Sequence, residues 1–239
     1  LPHFDWQRSA LDAKAVWSGF LSSPRLYPPL LELIKQPFLD TARHYEELGE
    51  YGRQYAAFLT FAALEMRGEL TAKALRSATE ALPMRGLCDA AESLVRALES
   101  AGERRADYWR NRVLPYWRSV WPQSKHYRTP EIAESLARLC IAAGEAFPDA
   151  LQTLRHWLLP LEYSERVVRP LHEQGLAEHF PEFALEMLDA VVDRNAPVPV
   201  PPSLKECLVD IRTKQANLAE DERFRRLREY LRRHGEELP

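Results

Sequence analysis

The sequence predicts an all-α protein, and three observations carry that expectation. Apolar residues recur at helical spacing along nearly the whole chain, prolines stand at the starts of those periodic stretches, and no run alternates with the period of two that a half-buried strand shows. Nine glycines against eighteen prolines fit short helices with punctuated ends. The expected architecture is a helical-repeat, α-solenoid-like array of about a dozen short antiparallel helices.

In chain order, the periodicity predicts helices near 5–20, 26–35, 38–48, 52–66, 71–81, 87–100 and 103–120. The stretch Tyr55 to Leu64 is strongly apolar but ends at Glu65, well short of the ~20 residues a bilayer span needs, so it reads as a buried helix. Leu82-Pro83 and Arg85-Gly86 punctuate residues 81–86, and the run from Trp121-Pro122 to Lys125 breaks the chain again. That second break divides an irregular N-terminal helical subdomain, 1–121, from a helix-pair repeat subdomain, 122–239, closed by C-terminal capping helices.

The second half is more regular. Ile132, Leu136, Leu139, Cys140 and Ala143 form one helical face, as do Phe183, Ala184, Met187, Leu188 and Val191, and again Leu204, Cys207, Leu208 and Ile211. Phe224, Leu227 and Leu231 make a narrower seam. Thr129-Pro130-Glu131 supplies a capping hydroxyl and a proline at the first helical position. Phe147-Pro148-Asp149 and Phe180-Pro181-Glu182 each place an acid where the helix dipole favours it. Both continue into an Ala-Leu pair, Ala150-Leu151 and Ala184-Leu185, the second after one extra residue. From Phe147 to Phe180 is 33 residues, and each of these helices follows another, at 130–143 and 164–175. Two helices per 33 residues is the period of a helical-repeat array. Ala196 to Pro202 is a proline-rich connector, a stiff lead into the last two helices.

Composition narrows function by exclusion. With 32 basic and 35 acidic residues the chain carries a net charge of −3, so any affinity for nucleic acid must be local. Cys88, Cys140 and Cys207 are an odd, widely spaced set without metal-ligand spacing, and two lie on apolar faces. That usage fits the cytoplasm. The opening Leu1 in place of Met suggests a chain that is either processed or cut from a longer protein.

The phosphate-loop, dinucleotide, hydrolase-elbow and zincin motifs are all missing, so the expectation is a non-enzyme without cofactor or metal. The distinctive segment is Arg104 to Arg128. Six arginines and Lys125 oppose Asp107, giving +6, interleaved with Tyr108, Trp109, Tyr116, Trp117, Trp121 and Tyr127. Guanidinium groups that hold phosphates and rings that stack on bases make Arg110, Arg112, Arg118, Lys125 and Arg128 the nucleic-acid candidates. Against this, Trp109, Val113, Tyr116, Trp117 and Val120 share one helical stripe, the pattern of a core face, with Pro115 placed to kink it. The Arg-rich helix from Arg223 to Arg233 is bracketed by acids and reads as a solvated capping helix. His172, Glu173, Glu178 and His179 match no metal-ligand spacing, and His44 with Glu46 and Glu47 reads as an exposed polar run.

Residues 117–235 also carry a familiar pattern. Its elements are Trp117 to Pro122, Ala142 to Pro148, Trp157-Leu158-Leu159-Pro160-Leu161, Phe180-Pro181 with Leu185 to Leu188, Pro201-Pro202-Ser203-Leu204, and Asp221 to Phe224 with Leu227. Together they resemble the helical C-terminal region of large bacterial antiphage-defence proteins, those with an NTPase or sirtuin-like effector upstream. The resemblance implies a sensor or scaffold whose partner is a protein: an effector domain, another subunit or a phage component. It brings no catalytic residue. The expected function is therefore a non-catalytic interaction module of antiviral defence, with a nucleic-acid-binding helical domain as the alternative, and no membrane partner.

Overall fold

Helices account for the regular structure of the chain in the computed structural model, which describes residues 2–65 and 70–238. An isolated parallel bridge joins Leu161 and Val192, with the Leu161 amide donating to the Val191 carbonyl at 2.8 Å. The helices gather into two compact units, one from residues 1–97 and 110–127, the other from 98–109 and 128–239.

In the first unit, α1 (Ala10–Leu21) begins later than its apolar pattern predicts. Asp5 folds a local turn, its carboxylate accepting from the Gln7 amide, and Ser9 then caps α1 through the Asp12 amide. The stretch expected as two longer helices is split into α2 (Pro28–Leu33) and α3 (Lys35–Asp40), followed by 3-10 turns at Thr41–His44 and Glu46–Tyr51. Pro37 lies in the first turn of α3, where its missing N–H would have had no helical partner. Gly49, with φ of 59°, reverses the chain into α4 (Gly52–Glu65). The helix expected over 52–66 is thus present to residue 65; residue 66 lies outside the described residues. Rings run through this core in edge and tilted contacts from Phe4 to Trp17, Phe38 and Tyr55. α5 (Ala72–Glu80), capped by Thr71, packs on α3 and α4.

α6 (Met84–Ser100) is the longest helix among the described residues. The expected helix 103–120 is instead α7 (Arg105–Tyr108), a π-helical turn over Trp109–Val113, and α8 (Leu114–Ser119). Pro115 has no N–H to give to the carbonyl four residues back, and the ladder widens into the π turn ahead of it.

In the second unit, α9 (Pro130–Ala142) is capped by Thr129 and buried on nearly every side except at Pro130, Glu131, Glu134 and Arg138. It packs against α10 (Phe147–Leu154), α11 (Glu165–Glu173) and α13 (Pro181–Val191). Gly175, at φ of 67°, ends α11 and leads through α12 (Leu176–His179) into α13. α14 (Ser203–Lys214) lies on α11 and α13, and α15 (Glu222–Arg233) lies on α13 and α14.

Candidate interaction surface

The basic and aromatic segment 104–128 divides between core and surface. Trp109, Val113 and Trp121 are wholly buried, Tyr116, Trp117 and Val120 nearly so, and Trp117 stacks on Trp121 with ring centres 5.2 Å apart. The Trp109 indole donates to Asp149 at 2.7 Å. Burial pushes the Tyr116 phenol up to about 12. These rings fill the interior, so they offer no face to a base. Of the arginines, Arg112 donates to the Leu64 carbonyl at 3.1 Å and lies 3.8 Å from Glu65, closing the last turn of α4. Arg110, Arg118 and Lys125 are exposed, and Arg128 is half-buried with its Nε unpartnered among the described residues. The first four belong to one unit and Arg128 to the other.

The remaining candidates for chemistry are occupied. Cys140 and Cys207 are fully buried, and desolvation raises both thiols far above the usual range. His172 meets Asp210 at 3.0 Å, Glu178 meets Lys214 at 2.6 Å, and His179 lies 2.8 Å from the Gly175 carbonyl. Among the described residues no group of three or more His, Cys, Asp or Glu is placed to hold a metal ion.

A surface trough lies on the outer side of α15. The spacing 222, 225, 226, 229, 233 puts Glu222, Arg225, Arg226, Glu229 and Arg233 on one face, opposite the buried Phe224, Leu227 and Leu231. Arg194 and Asn195, in the turn after α13, complete an open trough of about 560 Å³. Asp189 near the end of α13 organises it. One of its oxygens accepts from Arg194 at 2.6 Å and the Arg226 Nε at 3.3 Å, the other from the Arg226 Nη2 at 2.8 Å. The third nitrogen of Arg226 reaches Glu222 at 2.8 Å. Arg226 is therefore a brace with all its nitrogens engaged. Arg225 and Arg233 are exposed and make no hydrogen bond or ion pair among the described residues.

Sequence periodicity marks α15 as basic, but the trough depends on Asp189 reaching a residue 37 positions away. No local pattern signals that pairing. The chain matches no protein-family model, no curated protein and no solved structure.

Proposed function

We propose that the chain is a non-catalytic protein-interaction scaffold in which helix pairs of the second unit stack as repeats. The carrying observation is the contact between Phe147 and Phe180, whose ring centres lie 6.2 Å apart. In a stacked array, equivalent positions of adjacent repeats meet. These two residues open the two copies of the Phe-Pro-acid signature. The packing order supports the same reading: α9, α11 and α14 follow one another in contact, as do α10, α13 and α15. An array of this kind presents side chains from successive pairs to a partner, and the α15 trough is such a surface. The resemblance of residues 117–235 to antiphage-defence proteins points to a defence role, with an effector domain, another subunit or a phage protein as partner.

The test is affinity capture by the full chain from nuclease-treated lysates of infected and uninfected bacteria. A stoichiometric, nuclease-resistant protein partner supports the scaffold. Recovery dominated by nucleic acid and abolished by nuclease removes it in favour of binding through the exposed Arg110, Arg118 and Lys125.

A further inference from the structure

We infer that the α15 trough is a docking site for an acidic peptide segment, one with two carboxylates flanking a neutral or basic centre. The inference rests on the scaffold reading and names the chemistry of its partner. Four arginines and two glutamates line the trough and give it +2, while the whole chain carries −3. An anionic partner is therefore drawn to this trough rather than to the chain at large.

The two exposed cations that make no hydrogen bond among the described residues set the spacing. Arg225 and Arg233 are eight residues apart on one helix face, which places their backbones about 12 Å apart at ~1.5 Å per residue. An extended peptide rises about 3.3 Å per residue, so side chains four positions apart point the same way and span ~13 Å. Two carboxylates at that interval reach both guanidinium groups at once. Arginine suits this task because its planar fork can meet a carboxylate with two parallel bonds.

The residues between them choose the class of anion. Glu229 stands midway, four positions from each arginine, on the same face. It pairs with Arg232 at 2.9 Å, which spreads its charge without removing it. A nucleic-acid strand carries a charge at every nucleotide and would set a phosphate against this carboxylate. A peptide can place a lysine, an amide or a backbone N–H there instead. Glu222 and Asn195 supply further acceptors along the trough. Asp189 holds Arg194 and Arg226 on the wall, so that side is fixed before a partner arrives and less order is lost on binding.

The experiment is fluorescence anisotropy with the full chain at low salt. The probe is a labelled peptide, Gly-Ser-Glu-Ser-Lys-Ser-Glu-Ser-Gly, beside its Gln-for-Glu counterpart and a single-stranded oligothymidine of similar length. Saturable binding of the acidic peptide with Kd below about 1 mM is expected, weakened at least tenfold in the Arg225→Ala/Arg233→Ala double variant. Both side chains are exposed and make no hydrogen bond among the described residues, so circular dichroism and the thermal midpoint should match the parent. Glu229→Gln should raise affinity for oligothymidine more than for peptide. No saturation by 1 mM, equal binding of the Gln peptide, unchanged binding in the double variant, or tighter binding of oligothymidine by the parent chain would each overturn the proposal. Protein capture from lysate that persists in the double variant leaves the scaffold reading standing and removes this trough. Loss of peptide binding together with a parent chain that captures no protein removes both.

Discussion

Phe147 and Phe180 meet at 6.2 Å with their ring planes inclined by 43°, across 33 residues of sequence. Phe147 is fully buried and Phe180 half-buried, and each sits at the start of a helix whose Ala-Leu pair is buried. A double-mutant cycle with Phe147→Leu and Phe180→Leu should therefore show coupling, of about 0.5–1.5 kcal/mol for an aromatic pair. Urea unfolding of the four proteins measures it. Strict additivity would mean that the two rings are neighbours without being an interface.

The same substitution should have opposite signs at two glycines of the first unit. The Tyr45 ring is wedged beside Gly52 and Gly86, and its hydroxyl donates to Asp89. A Cβ on Gly52 would fall 2.9 Å from the ring, which the buried packing and the Asp89 bond hold in place. Gly52→Ala should destabilise by about 1–3 kcal/mol despite the better helix propensity of alanine. A Cβ on Gly19 in α1 meets nothing within 4 Å, so Gly19→Ala should stabilise by about 0.4–1 kcal/mol. Thermal unfolding of the two variants decides it. Stabilisation of both would show that the Tyr45 ring can move aside.

How far the fold was legible follows from the range of the forces involved. Helix class and most helix positions come from local periodicity and caps: Thr129 caps α9 as its side chain predicts. Side-chain contacts over long separations do not. His44 reads as part of an exposed polar run, yet its ring stacks on Trp6 at 4.7 Å, while Trp6 donates to Thr41. The break at Ile34 was equally hidden, because the apolar pattern continues across it. The candidate site shows the same limit. The charges of α15 are visible in sequence, and the Asp189 bond that holds one of them in a wall is not.

Thiol chemistry should separate the three cysteines. Cys140 and Cys207 are buried with thiols raised by desolvation, whereas Cys88 is partly exposed. Iodoacetamide at pH 8 should modify Cys88 alone in the native protein and all three in urea. Peptide mass spectrometry reads the sites. Native labelling of Cys140 would show that α9 opens on the timescale of the reaction.

Asp221 should link the stability of the second unit to acid pH. Its carboxylate caps α15 by accepting from the Arg223 amide at 2.8 Å, and it also accepts from the Arg223 guanidinium at 2.8 Å. The guanidinium bond is the main reason its pKa falls from 3.8 to about 2 in the folded chain. A folded value below the unfolded one means the carboxylate stabilises the fold above pH ~4, and that this contribution is lost as pH falls from there towards about 2. Asp221→Asn keeps a capping oxygen and removes the charge. It should be less stable than the parent at pH 7, with the gap closing between pH 4 and pH 2. Urea unfolding across that range follows the gap directly. A gap independent of pH would assign the effect to the cap alone and leave the Arg223 pair without a role in stability.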